Sequence, residues 1–403
     1  FKPLNTFLSI ILLTASVSII SILMLLQKQF EEKFSSSMDN IDLVLGAKGS
    51  PLQLILSSVY QIDAPPGNIS YPEAELWMNN PMVESAVPLA YGDNYLGYKI
   101  VGTNDNYLSH FDLKIAEGVP FSKDFEVVIG ANIASNIGLK IGDTFFGTHG
   151  DSEEGEVHDH HAYKVVGVLA PSGKVTDQLI LSTIESVWHM HDHDHGHHEE
   201  TAVHHHSEEP HHHEEAVHPH EGKEITAVLL KLRNNMAKMT WQRIVPQNTE
   251  MQAASPVLEI NRLFSLFGVG ISALKYLAYG IMLISGISIF VALYNTLKER
   301  KYEFALLRIG GASKFQLLWL VLLESIFLCV IGFIFGIIFG RVGLYFLSVS
   351  AQEEFKMAFD PFEFLWKEEG MLFVATVAVG IVAAVIPALK AYSLNISKTL
   401  ANA

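Results

Sequence analysis

Four long apolar stretches constrain this chain more than any other feature: one stands at its start and three crowd into its last third. Leu4–Leu26 holds no charged residue and is long enough for a bilayer core, which takes roughly 20 apolar residues. Tyr276–Leu297, Gln316 to about Leu347, and Met371–Leu389 follow the same pattern. In hydrocarbon a backbone must satisfy its own hydrogen bonds, so each stretch is expected as a helix. Hydrophobic residues at 49% and charged residues at 17% of the 403 agree with the membrane class. The first stretch exceeds the apolar core of a signal peptide and lacks a small-residue cleavage pattern, so it reads as a retained anchor. Because the chain opens on Phe1 rather than Met, a short segment is expected upstream of this numbering.

Basic residues set the orientation. Lys298, Arg300, Lys301, Arg308 and Lys314 fall between the second and third spans. The connection between the third and fourth carries Glu353, Glu354, Asp360, Glu363, Glu368 and Glu369 against Lys356 and Lys367. The excess of Lys and Arg places the 298–315 connection in the cytoplasm. Gln27 to about Leu274 then lies outside, and it carries much of the net charge of −16. That balance argues against a nucleic-acid partner. The single cysteine, Cys329, lies in the third span, so the outer segment is expected to stand without disulfides. Glu324 and Arg341, within the same span, are costly in lipid and should face protein or water. Helix packing is the plainer role for Glu324, and Arg341 can snorkel.

The outer segment reads as mixed α and β. Gln27–Asn40 continues the first helix, and Pro51 opens a short apolar helix capped by Ser50. That short helix is either domain core or a lipid-facing element. Strands are expected at Tyr98–Gly102, Glu126–Gly130, Tyr163–Leu169 and Glu224–Arg233, with a helix from Ala131 closed by Gly138. The expected fold is an α+β membrane protein with four transmembrane helices, one N-terminal and three C-terminal, and a large mixed α/β domain between helices 1 and 2. Its divisions are helix 1 (1–27), a stalk with a Gly/Pro turn and amphipathic segment (28–68), the core domain (69–234) and a second stalk (235–275) broken or turned near Gln247, Asn248 and Ser255. After these come helix 2 (276–297), a coupling loop (298–315), helix 3 (316–348), an outer loop (349–370), and helix 4 with a cytoplasmic tail (371–403).

Inside the core domain, residues 189–221 hold fourteen histidines and nine Asp or Glu, with no Lys or Arg. The candidate ligands are His189, His191, His193, His195, His197, His198, His204, His205, His206, His211, His212, His213, His218 and His220. Neutral imidazole binds zinc, copper and nickel, and neighbouring carboxylates add ligands and a field that concentrates cations. No apolar residues hold these ligands apart, and Pro210 and Pro219 punctuate the run, so it reads as a multi-site chelator and not one four-ligand centre. A solvated acidic linker is the plainer alternative, and an expression tag is disfavoured because the run is internal and rich in acids. A second acidic loop, Gly147–His161, adds His158, His160 and His161 as further candidates if the fold joins the two loops.

The connection after the second span reads Leu297-Lys-Glu299-Arg300-Lys-Tyr-Glu303-Phe-Ala-Leu-Leu307-Arg308-Ile-Gly310-Gly311-Ala312. It resembles the signature of the FtsX-like permeases, the MacB, LolC and LolE type of ABC transporter. The end, Ile386-Pro387-Ala388 through Ala391 to Leu400, is similar to the family's closing pattern, with Ile396 where proline is usual. Val127–Gly130, Leu139–Thr144 and Val165–Leu169 resemble its periplasmic core domain of MacB type. The resemblance implies an inner-membrane permease, non-catalytic itself, that couples ATP hydrolysis by a separate cytoplasmic ABC ATPase, present in two copies, to periplasmic movement. A second permease copy and membrane lipids are the other partners it implies, and the histidine run adds the expectation of a periplasmic metal-binding or substrate protein. The chain contains no G-x-x-x-x-G-K-[ST] loop, so ATP is expected only through the partner ATPase. Residues expected to grip it are Glu299, Arg300, Glu303, Leu307, Arg308, Gly310, Gly311 and Ala312, by charge-assisted hydrogen bonds, apolar contact and a sharp turn.

Three functions follow as alternatives: a mechanotransmitting permease whose histidine loop binds zinc or a similar divalent metal, a lipid- or lipoprotein-extracting permease, and an FtsX-like regulator of a cell-wall hydrolase. A metalloenzyme fits less well, because repeated His-Asp pairs supply no rigid three-ligand frame. Because ligation needs neutral imidazole, zinc capture by a peptide of residues 189–221 is expected to weaken as pH falls below about 6.5. Equal zinc uptake near about pH 5 and about pH 7.5 would contradict histidine ligation.

Overall fold

The computed structural model describes residues 3–149, 161–192, 222–355 and 359–393. In chain order its elements are α1 (Pro3–Ser37), β1 (Leu43–Ala47), α2 (Pro51–Ser58), β2 (Ile69–Ser70), α3 (Tyr71–Met78), β3 (Val83–Tyr95), β4 (Tyr98–Thr103), α4 (Asn106–His110), β5 (Ile115–Gly118) and β6 (Glu126–Ile129). Then come α5 (Ala131–Ile137), β7 (Thr144–Phe145), β8 (Thr148–His149), β9 (Tyr163–Leu169), a 3-10 turn (Val175–Gln178), β10 (Ile180–Thr183), α6 (Ile184–Asp192), β11 (Glu224–Ile225) and β12 (Ala227–Leu232). The last are α7 (Asn235–Asn248), β13 (Met251–Ala254), α8 (Pro256–Glu299), α9 (Lys301–Ile309), α10 (Lys314–Phe355) and α11 (Trp366–Tyr392). Two compact units result: Phe1–Glu31 with Ser265–Ala403, and Glu32–Phe264.

The first unit is helical. Four helices, α1, α8, α10 and α11, are long and apolar enough to cross a membrane. At about 1.5 Å per residue, the 44 residues of α8 make a rod of about 66 Å, twice a bilayer core. With no hydrophobic drive between helices in lipid, close packing must hold them. Gly332, Gly336 and Gly340 repeat every fourth residue on α10 and face α1; a Cβ on Gly336 would stand 2.6 Å from the Val17 side chain. Ser9 and Ser288 share a hydrogen bond of 2.7 Å between α1 and α8, and Ser325 Oγ donates to the Gly380 carbonyl at 2.7 Å. Arg341 does not simply snorkel. It pairs with Glu369 at 2.6 Å, donates to the Pro361 and Glu363 carbonyls, and lies 4.2 Å from the Phe364 ring centroid. Glu324 is half-buried.

The second unit is built on a mixed sheet in the order β13-β1-β12-β3-β4-β10-β6-β9-β5, with β7 on β9 and β8 on β3. The β10–β4 and β6–β9 pairs are parallel. Alternation along β1 separates its two faces. Leu43 and Leu45 join the cluster formed with Trp241 and Val245 of α7 and Ala74 of α3. Gly46 points the other way, where any Cβ would collide with Leu54 of α2. Leu54 and Ile55 are fully buried, so α2 is domain core and not a lipid-facing element. Ser50 caps it as expected, accepting from Gln53 N at 3.4 Å. A second cluster, around Ile129, Ile133, Tyr163 and Val165, fills the other half of the domain.

Several expected boundaries shift. Residues 235–275 are not one stalk: α7 packs into the domain through Trp241 and Val245, β13 follows on the sheet edge, and α8 starts only at Pro256. The expected strand at 224–233 is two strands, β11 and β12, and β11 pairs with β2 in a separate ribbon. The helix from Ala131 ends at Ile137, closed by Gly138 in the left-handed conformation. The connection expected as a loop at 298–315 contains helix α9, and that expected at 349–370 is shortened by α10 and α11.

Asn40, left-handed at φ 67°, turns the chain from α1 into the sheet. Its Nδ2 donates to the His110 carbonyl at 3.0 Å, while Lys231 Nζ donates to its Oδ1 at 3.0 Å. His110 is buried with Nδ1 2.8 Å from Ser85 Oγ. Burial first, then the Lys231 charge, lowers its pKa to about 4. An unfolded chain binds that proton near about pH 6.5, which the folded one refuses until pH 4 is approached. Stability contributed by neutral His110 is therefore present above pH 6.5 and declines as pH falls through that window. The thermal midpoint of the purified chain is expected to fall between about pH 6.5 and about pH 4 and to fall less in His110→Asn; equal falls would contradict this account.

Candidate functional site

Two places carry the residues singled out by sequence, one in each unit. In the first, α8 ends at Glu299 and the chain turns at Arg300 into the short helix α9. Phe304 is buried among Leu297, Leu317, Val321, Ala388 and Ala391, which fixes one face of α9 against helix ends. Tyr302, Leu306, Leu307 and Ile309 are left exposed on the helix, and Phe315 is exposed just beyond it. Arg300 Nε donates to Glu303 Oε2 at 2.7 Å.

The end of α9 explains why this stretch reads Arg308-Ile-Gly-Gly311-Ala312. Gly311, at φ +98°, sits where the chain reverses. Gly311 N donates to the Arg308 carbonyl at 3.2 Å and Ala312 N to that of Leu307 at 3.0 Å, a double closure of the helix end that favours glycine at this position. Arg308 Nη1 donates to the Ala312 carbonyl at 2.8 Å. Of the two expected glycines, Gly311 makes the turn; Gly310 has φ −69°. Ser313 and Gln316 then cap α10 reciprocally, Ser313 N donating to Gln316 Oε1 at 2.7 Å and Gln316 N to Ser313 Oγ at 3.2 Å. A rigid, amphipathic knob carrying both signs of charge results.

The second place is where the histidine-rich segments leave and rejoin the sheet. His193, His195, His197, His198, His204, His205, His206, His211, His212, His213, His218 and His220, with His158 and His160, lie outside the described residues. The histidine-rich segment expected at 189–221 does not start as a loop: residues 189–192 end α6, the rest runs on toward β11, and its two roots are tied. Trp188 Nε1 donates to the Glu224 carbonyl at 2.7 Å, and Lys223 Nζ stands 4.5 Å from the Trp188 ring centroid. His191 belongs to α6. His189, on the same helix and half-exposed, has Nδ1 3.4 Å from Asp124 Oδ2. His161, which ends the other histidine-rich loop, packs on Phe125 at 4.7 Å between ring centroids; His189 lies 6.5 Å from the same ring. The fold thus brings the roots of both loops to one residue.

The turn before β6 is held from several sides. Phe125 is left-handed, φ +64°, which costs a bulky residue on the order of 1 kcal/mol. Its N–H donates to Ser186 Oγ at 2.8 Å, and its carbonyl accepts from Lys164 N at 2.8 Å. Thr183 Oγ1 donates to Asp124 Oδ1 at 3.2 Å and is 2.7 Å from Ser186 Oγ. Glu126 accepts from Ser122 N and Lys123 N, and these hydrogen bonds, that from Ser122 foremost, hold its carboxyl below the usual carboxylate range. Among the described residues, no three His, Cys, Asp or Glu side chains are gathered closely enough to hold a metal ion by themselves. Sequence reasoning missed Asp124, Phe125, Thr183 and Ser186: none stands in a histidine run, and only pairing of β10 with β6 carries Ser182, Thr183 and the start of α6 beside the turn.

The sequence model of the MacB-like periplasmic core domain matches residues 4–212, and that of the FtsX-like permease C-terminal domain matches residues 276–396. Among solved structures, the periplasmic region of MacB from Actinobacillus actinomycetemcomitans aligns at 11% identity with a TM-score of 0.35, covering 56% of this chain and 95% of that one. The extracellular domain of the ABC-type transporter YknZ from Gram-positive bacteria aligns at 12% identity and a TM-score of 0.31, covering 53% and 99%. No curated protein matches. With four helices able to cross the membrane, one before and three after an α/β domain, the chain belongs to the FtsX-like, MacB-type family of ABC transporter permeases, inner-membrane multi-pass subunits with a periplasmic domain.

Proposed function

We propose that this permease is the membrane subunit of a mechanotransmitting system. A separate cytoplasmic ABC ATPase, in two copies, docks on α9 of two permease copies, and its cycle moves the membrane helices and the periplasmic domain. The observation that supports this reading best is the α9 knob. Its helix end is closed by Gly311 and Arg308, its inner face is fixed by Phe304, and its outer face offers Leu306, Leu307 and Ile309 beside Glu299, Arg300 and Glu303. An apolar centre ringed by charge is the composition of a tight protein contact. With the periplasmic domain between the first two spans, the α8–α10 connection falls on the cytoplasmic side, where an ATPase is found.

In the same reading, the 189–221 insertion binds zinc or a similar divalent metal and conveys its presence to the periplasmic domain. The donor set suits it: imidazoles and carboxylates are the ligands of zinc and its neighbours.

The test is the ATPase rate of the permease reconstituted with its ATPase across a zinc titration, for the intact chain and for one with residues 189–220 replaced by a Gly/Ser linker. A response confined to the intact complex is expected; identical responses, or none, would remove the loop from the coupling. In the same preparation Leu307→Glu, at an exposed position, is expected to weaken retention of the ATPase about tenfold or more without lowering the permease's thermal midpoint. Undiminished retention would move the contact away from α9.

A further inference from the structure

We propose that Asp124 and His189 are the fixed ligands of a divalent transition-metal site on the folded domain at the shared root of the two histidine-rich loops, with His161 as a ligand drawn in when the metal binds. The proposal rests on the metal-binding reading above and adds a fixed site that survives without the loops.

Four observations carry it. First, the Nδ1 of His189 and the Oδ2 of Asp124 are 3.4 Å apart. That is longer than an ordinary N–H···O bond of about 2.7–3.2 Å. It falls within the edge of a zinc tetrahedron, roughly 3.3–3.6 Å for metal–ligand bonds near 2.0–2.2 Å. Second, the other oxygen of Asp124 accepts from Thr183 Oγ1 at 3.2 Å. An outer hydrogen bond that fixes a ligating carboxylate is what metal sites use to orient their ligands. Third, the turn carrying Asp124 is strained at Phe125 and fastened by Ser186 and Lys164, so the carboxylate sits on a rigid frame. Fourth, His161 packs on the same Phe125 ring that His189 approaches, which brings a second imidazole to the neighbourhood. Both members of the pair are half-exposed, open to a hydrated cation from solution.

As placed, His161 does not form a three-ligand group with Asp124 and His189. A metal held by Asp124 and His189 would recruit it by side-chain rotation about the Phe125 face, with water in the remaining position. His161 and His189 belong to different loops, so occupancy would pin β9's start to α6.

The experiment uses the full-length chain in detergent, with residues 150–160 and 193–221 both replaced by Gly/Ser linkers of equal length. Cobalt(II) is the spectroscopic probe and zinc its competitor. One equivalent of cobalt in a tetrahedral, strongly absorbing environment is expected to remain in this protein and to be displaced by zinc. Asp124→Asn with His189→Ala on that background is expected to weaken it at least tenfold, and Thr183→Val by about tenfold. Circular dichroism and melting without metal check that each variant folds. If the intact chain binds metal and the linker protein binds none, the root site is overturned and the loop reading stands. If neither binds, both fall. If the linker protein binds one equivalent that the Asp124 and His189 changes leave untouched, the metal lies elsewhere and the root site is overturned.

Discussion

The periplasmic domain depends on one edge pairing. β1, the first strand of the domain, and β13, the last, lie side by side with Val44 opposite Ala254 and Ala47 opposite Met251. Chain entry and chain exit therefore meet at one end of the sheet. The aromatic contacts there repeat the arrangement. Phe34, in the last turns of α1, packs against Tyr60 at 4.4 Å and Phe264 of α8 at 5.8 Å between ring centroids, and Tyr60 Oη donates to the Phe34 carbonyl at 2.8 Å. The first and last strands of the domain thus close its sheet at one edge.

The membrane unit solves a different problem with different residues. Water drives the sheet clusters together, but hydrocarbon gives helices no such reason to associate. Glycine at every fourth position of α10 lets Leu13 and Val17 of α1 approach its backbone, and Arg341 gathers the connection before α11 onto Glu369. At the other end, the closure of α9 by Gly311 reverses the chain between two long helices. Each unit is stabilised by what its own solvent makes favourable.

The two histidine-rich segments leave and rejoin the domain at ends that the described residues hold in place. Trp188 and Glu224 close the larger one, so its length costs the sheet little. The smaller one leaves at β8 and rejoins at β9, and both come back to the turn at Phe125.

Local features were legible in the sequence because local forces decide them. The four spans, the Ser50 cap, the Gly138 stop and the extension of α1 past Gln27 follow from apolar length, side-chain capping and glycine's freedom at positive φ, none of which needs a distant partner. The family was legible too, since the Arg308–Ala312 pattern is itself a local device for ending a helix. Tertiary structure alone decided the rest. α7 looked like stalk until the sheet gave Trp241 and Val245 a face to cover, and α2 looked amphipathic until Gly46 made room for Leu54. Asp124, Phe125 and Thr183 carry no sign in their own neighbourhoods. Thr183 lies 59 residues from Asp124 along the chain, and only the pairing of β10 with β6 brings its hydroxyl to that carboxylate. Ligand types are written in sequence; the distance between them is written by strand pairing.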